Sequence, residues 1–169
     1  MRKIEVVPYQ KKWKSLYAFE EKLISSILGE QVVHIHHIGS TAIPNMMAKP
    51  VIDILVEVKD IDKVDEFNCK FIEVGYEPKG ENGILHRRYF QKGGDVRTHH
   101  VHIFKANHPE VTRHVAFRDY LIEHPAEAKE YEELKKNLAL QHMFDANKYN
   151  NGKSEFIREL DEKAKKWYK

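Results

Sequence analysis

Residues 37–58 read HIGSTAIPNMMAKPVIDILVEV. The last eight, VIDILVEV at 51–58, alternate: Ile52, Ile54, Val56 and Val58 fall on one face, Asp53, Leu55 and Glu57 on the other. A period of two is the mark of a strand with one face turned to a core. Upstream, VVHIHHI at 32–38 is β-branched enough for a second strand. Between them stands Gly39-Ser40-Thr41 and a loop that ends in Lys49-Pro50. A strand, a Gly-Ser pair, a loop and an acid-bearing strand form an arrangement that presents backbone N–H groups and hydroxyls to an anion. Gly39 permits close backbone approach, Ser40 and Thr41 supply hydroxyls, and Lys49 supplies charge. The same composition suits a tight connection whose polar groups satisfy only the turn itself.

Outward from this stretch, apolar residues at 13, 16, 17, 23, 24, 27 and 28 recur at helical steps, and Gly29 stops them, so 11–28 is an amphipathic helix. Asp60 can cap a second helix running to Val74, with Ile61, Val64, Phe67 and Phe71 as its buried stripe and Gly75 at its end. Residues 84–91 and 96–104, separated by Lys92-Gly93-Gly94-Asp95, read as a β-hairpin. Beyond Phe104 the pattern becomes helical: Pro109 and Pro125 sit where first-turn prolines belong, and a last helix carries Phe156, Ile157, Leu160, Ala164 and Trp167. The expected fold is α+β, a mixed sheet of four or more strands with helices on one face and a helical final third beside the other.

The 169 residues suffice for one core and are too few for two ordinary domains, so a single domain spanning 1–169 is expected. The 28 Lys and Arg balance 26 Asp and Glu, which excludes the basic footprint of a general nucleic-acid binder; any anion must be held by a local cluster. The Met1-Arg2-Lys3 start carries no apolar core of signal-peptide length, and no apolar run approaches the roughly 18 residues of a membrane span, so a cytoplasmic protein without a membrane partner is expected. The one cysteine, Cys69, excludes an internal disulfide and reads as a small packed residue.

On the hairpin's second strand His100, His102 and Phe104 share one face and Val101 and Ile103 the other. If the valine and isoleucines face the core, Asp53, His100 and His102 converge on the opposite face of the sheet. Two histidines at i, i+2 with a carboxylate suit a borderline divalent cation or general acid–base work near neutral pH. Structural hydrogen bonding is the competing reading, because 11 histidines in this chain make chance adjacency common. His34, His36 and His37 read as structural, and Glu57 as a solvated acid at a strand end.

The 37–58 segment resembles the signature of the GrpB family, small bacterial proteins similar to a branch of the polymerase-beta-like nucleotidyltransferase superfamily. Resemblance continues through RTHHVHIF at 97–104, FRDYL at 117–121 with His124-Pro125, YEELK at 131–135, and Tyr149 through Lys153 to Phe156-Ile157. It implies a nucleotide or small phosphorylated ligand at Gly39-Ser40-Thr41, with Lys49, Arg97, Arg118, Lys135 and Lys153 as candidate phosphate contacts. Metal-assisted nucleotidyl transfer is one implied activity, with Asp53, His100 and His102 as catalytic and metal-binding residues around Mg²⁺ or Mn²⁺, or Zn²⁺. A non-catalytic nucleotide- or phosphometabolite-binding module is the other, with a link to coenzyme A metabolism suggested by fusions of such domains to dephospho-CoA kinase. Two departures matter. Asn45 stands where glycine is usual, and Asn is the next residue to tolerate positive φ. Leu55 stands where the second strand-borne acid belongs, which removes a ligand from the usual two-ion site.

Overall fold

The computed structural model describes residues 3–168, so Met1 and Arg2 of the start lie outside them. Helix α1 (Lys12–Leu28) ends at Gly29, whose φ of 55° no β-carbon resists, and leads into β1 (Val32–Ile38). A 3₁₀ turn at Ser40–Ala42 opens the loop to β2 (Ile52–Val58). The Asp60 side chain caps the next segment by accepting from the Asp62 N–H at 3.0 Å, but that segment starts as a 3₁₀ helix, Ile61–Phe67, before widening into α2 (Asn68–Glu73). Cys69 is exposed on this helix, contrary to its reading as a packed residue. Then follow β3 (Tyr76–Pro78), β4 (Arg88–Lys92), β5 (His99–Lys105) and three helices: α3 (Pro109–Glu123), α4 (Pro125–Gln141) and α5 (Ala146–Trp167). Pro109 and Pro125 occupy the first turns of α3 and α4.

The five strands lie in the order β1-β2-β5-β4-β3. All neighbours are antiparallel except β2 and β5, which run parallel with Asp53 opposite His100 and Leu55 opposite His102. Central β2 therefore has one antiparallel and one parallel neighbour, the mixed sheet that the sequence reading expects. Strand β3 is not among the expected strands: three residues ending in proline give no periodic signal.

The alternation of β2 and β5 decides what faces what. Ile52, Ile54, Val56, Val58, Val101 and Ile103 are buried against Trp13, Ile24, Leu28, Val64 and Phe71, so α1 and the 61–73 helical segment cover this face. On the opposite face Leu55 and Phe104 meet Ile38, Val111 and Val115, fastening α3 across the middle of the sheet. Burying a Leu or Phe side chain contributes about 2 kcal/mol each, enough to fix which face α3 covers. Helices α3, α4 and α5 reach the Gly-Ser loop through Tyr120, Tyr131 and Leu160, in that order, packed on Ile43 and Met46. No helix among the described residues is long and apolar enough to cross a membrane.

Candidate functional site

Strand β1 ends in buried Ile38, and the chain turns at Gly39 with φ 74° and ψ −174°. Glycine is required there twice over, because a β-carbon would come within 2.7 Å of Asp53 Oδ2. The turn is closed by Ala42 and Ile43 N–H groups donating to the Gly39 and Ser40 carbonyls at 3.1 Å. Thr41 faces inward: it is buried, and its hydroxyl is 2.9 Å from His37 Nε2. That imidazole stacks on the Tyr17 ring at 4.7 Å. Burial lowers the His37 pKa to about 4; Asp53 opposes and Arg118 assists. His37 is thus neutral near pH 7 and Thr41 is tied to it. Asn45 takes φ 64°, so asparagine keeps the turn.

Two helices bring lysines to the Gly-Ser turn region, one of them onto Ser40 itself. From α4, Lys135 Nζ donates to Ser40 Oγ and to the Met47 carbonyl, both at 2.8 Å, although only 2% of the residue is exposed. From α5 comes Lys153, and both ammonium groups lie over an aromatic ring one turn earlier on their own helix, Tyr131 and Tyr149, at 4.6 Å. Lys49 approaches the Tyr149 ring at 5.2 Å from the loop. Neither Lys135 nor Lys153 makes an ion pair among the described residues. Burial first, then mutual repulsion among the three lysines, lowers Lys135 to about 7 and Lys153 to about 8. The close approach of α5 to α4 depends on Gly152, where a β-carbon would meet Leu138 Cδ2 at 2.5 Å.

Beside this lysine cluster, Asp53 Oδ1 lies 3.2 Å from His100 Nδ1 and 3.6 Å from His102 Nε2. The convergence expected from the alternation is present. Burial pushes the Asp53 carboxyl up, and the hydrogen bonds and charges of the two histidines outweigh it, holding the group well below the usual carboxylate range. Arg87 Nη1 stands 3.2 Å from His102 Nδ1. A guanidinium can only donate, so Nδ1 accepts and His102 carries its proton on Nε2, towards Asp53. Both imidazole nitrogens are thereby engaged. His100 Nε2 is buried without a partner.

This donor set does not fit a resident metal ion. A protonated Nε2 cannot ligate, Leu55 lies at 0% exposure in the α3 contact, and no cluster of three or more His, Cys, Asp or Glu among the described residues is arranged to hold an ion. The other same-face acid, Glu57, is committed elsewhere: it is buried and 2.7 Å from His36 Nε2, not solvated as the sequence reading expected.

Of the remaining candidates, Arg118 is turned to structure, donating to the His37 carbonyl at 3.0 Å and to Asp119 at 2.9 Å. Arg97 holds the Gly94 carbonyl of the β4–β5 turn at 2.9 Å, and it shares a cleft of about 390 Å³ with Lys49 instead of joining the lysine cluster. Sequence reasoning missed Tyr131, Tyr149, Gly152 and Arg87. A signal for the tyrosines was there: Tyr131/Lys135 and Tyr149/Lys153 repeat one i, i+4 spacing on consecutive helices.

A five-stranded mixed sheet whose Gly-Ser turn is met by lysines from a C-terminal helical layer defines the class of this protein. Within that class, a family model described as GrpB protein matches residues 3–163, and the chain belongs to the GrpB family. It is 51% identical to the UPF0157 protein YqkA of Bacillus subtilis over 168 residues, 99% of this chain and 49% of that protein. It is 39% identical to the glutamate-rich protein GrpB of Alkalihalophilus pseudofirmus, with 92% of each covered. This chain thus spans about half of one relative's length and nearly all of the other's. The crystal structure of conserved protein GrpB from Enterococcus faecalis superposes with a TM-score of 0.94 at 44% identity, covering 98% of this chain and 100% of that one.

Proposed function

We propose that this protein binds a nucleotide or small phosphorylated metabolite through its phosphate groups, seated on the Gly39-Ser40 turn among Lys49, Lys135 and Lys153. The observation that carries the reading is the pair of buried Lys135 and half-buried Lys153, neither of which makes an ion pair among the described residues. Lysines held this way are poised for an anion that restores their charge. The buried Tyr149 hydroxyl, without a partner, offers one more donor beside them.

The resemblance to nucleotidyltransferases makes metal-assisted nucleotidyl transfer the other reading. Leu55 and the Arg87–His102 contact favour binding without a resident ion. In this account the lysines supply the neutralising charge that metal ions supply elsewhere. Asp53, fixed by His100 and His102, buttresses the glycine turn and sets a limit to negative charge in the site.

Binding should be coupled to proton uptake, since an anion raises the pKa of any lysine it touches. Titration calorimetry with pyrophosphate and ADP, in EDTA at about pH 8 and in buffers of different ionisation enthalpy, measures it. The expected result is metal-independent binding with uptake of up to about one proton per lysine engaged, weakened at least tenfold in Lys135→Met and Lys153→Met. An affinity unchanged in both variants, or no binding by the parent chain at millimolar ligand, refutes the reading.

A further inference from the structure

The contact between Ser40 and Lys135 has the form of a nucleophile and its base. We infer that Ser40 is a nucleophile activated by Lys135, able to accept a phosphoryl group from a phosphoric anhydride or a similarly activated phosphorus ester. Its Oγ is 2.8 Å from Lys135 Nζ, within the range over which a proton passes directly. The Met47 carbonyl takes a second Nζ–H at 2.8 Å, which orients the nitrogen so that another of its valences points at the serine. The Tyr131 ring, one turn before Lys135 on α4, lies 4.6 Å from Nζ and flanks the amine from another side.

Three further observations favour a nucleophile over a structural bond. Ser40 is only partly buried and follows Gly39 at the mouth of the turn, so a ligand can reach it, whereas its neighbour Thr41 is buried and bonded to His37. Lys135 is 98% buried, makes no ion pair among the described residues, and faces two other lysines, which together outweigh the opposing charge of Glu132 and favour the neutral amine a base requires. Its pKa of about 7 fits that work at neutral pH. Lys49 and Lys153 meanwhile stand beside the turn, where they can hold phosphate oxygens.

The step balances without a cofactor. As the Ser40 Oγ–P bond forms, the bond from phosphorus to the bridging oxygen breaks. The leaving phosphate departs with that electron pair, and the hydroxyl proton passes to Lys135 Nζ, which becomes an ammonium. The inference shares its site with the phosphate-binding reading but rests on the Ser40–Lys135 pair alone.

A fluorophosphonate probes the pair directly, because labelling forms the same Oγ–P bond and expels fluoride. The full chain, Ser40→Ala, Lys135→Met, Lys135→Arg and Lys153→Met would be treated with the probe and followed by intact mass and peptide mapping. The parent should take one adduct, on Ser40, at a rate that rises from about pH 5.5 and levels above about pH 8. Lys135→Arg keeps the positive charge but cannot give up its proton, so it should label at least about 100-fold more slowly while still binding pyrophosphate. Lys153→Met should label more slowly, and its rate should level off at a higher pH, because Lys153 faces the phosphoryl oxygens and its charge helps to lower the Lys135 pKa. An adduct elsewhere than Ser40, a pH-independent rate, parental labelling in Lys135→Arg, or no adduct on the parent overturns the inference. Labelling at Ser40 by a chain that binds no pyrophosphate would remove the binding reading and keep the pair.

Discussion

The two faces of one sheet solve opposite problems. Towards α1, β2 and β5 present apolar side chains apart from His99 at the start of β5, and the buried acid Glu20 in that layer takes the Tyr76 hydroxyl at 2.6 Å and Lys92 Nζ at 2.8 Å, both on Oε1. Towards α3, the same two strands present Asp53, Leu55 and Glu57 beside His100, His102 and Phe104, a band of polar, apolar and polar groups. The apolar band holds α3, and the polar groups on either side are separated by it. The first face is built for stability. On the second, Lys135 is buried and Lys153 half-buried, neither in an ion pair among the described residues, and His100 Nε2 and the Tyr149 hydroxyl are buried without partners, a pattern that goes with ligand sites.

The sharpest way to break this comparison is to put an acid into the apolar band. Leu55→Asp places a second carboxylate two residues from Asp53 on the same strand face. Position 55 is at 0% exposure among Ile38, Phe104, Val111 and Val115, so the change buries a carboxyl with no donor and removes the packing that fastens α3. A loss of roughly 4 kcal/mol is expected, read as a lowered urea midpoint, with no gain of Mn²⁺ affinity. A stable Leu55→Asp protein that binds Mn²⁺ would show that the band is adaptable and that the fold can still host the two-acid site.

The band also explains what the sequence could and could not disclose. Strict alternation in 51–58 and 99–104 made the inward set and the Asp53–His100–His102 convergence legible, because a period of two leaves no freedom over which face a side chain takes. What decides pairing across elements was not legible. Glu57 meets His36 only because β1 lies antiparallel to β2, and Arg87 meets His102 only because the loop before β4 folds back over β5. The choice of Lys135 and Lys153 over Arg97 and Arg118 as site cations depends on how the helical third docks, which periodicity cannot supply. Side-chain charge alone marked all of them equally.

A smaller effect is expected where the faces meet the turn. Gly39→Ala introduces a β-carbon 2.7 Å from Asp53 Oδ2 at φ 74°, whereas Gly29→Ala, at φ 55°, meets nothing within 4 Å. Backbone strain alone should destabilise the Gly29 variant by about 1 kcal/mol, and the added clash should bring the Gly39 variant to about 2 kcal/mol. Displacement of Asp53 should also shift the His100 and His102 imidazole resonances in Gly39→Ala and leave them in place in Gly29→Ala. Equal stability losses and unmoved resonances would mean that Asp53 can step aside, and that the contact is not what holds the turn.

The smallest net effect, and the most telling for the polar face, is a change of sign with pH. Burial and the neighbouring lysines lower the Lys135 pKa from 10.5 to about 7 in the folded chain. Between those values the unfolded chain binds more protons than the folded one, so stability due to this group rises with pH, and the penalty is complete below about pH 7. Lys135→Met deletes both the penalty and the hydrogen bonds to Ser40 Oγ and the Met47 carbonyl. Near pH 6 the deleted charge penalty dominates, and the variant should be more stable than the parent by about 1 kcal/mol. Near pH 9.5 most of the penalty is gone from the parent as well, while in the variant the Met47 carbonyl has lost its donor, so the variant should be less stable by about 1 kcal/mol. Urea titrations at the two pH values measure the crossover. A difference between parent and variant that keeps one sign and one size would show that Lys135 titrates like a solvated lysine, and would remove the physical ground on which both the anion site and the Ser40 base stand.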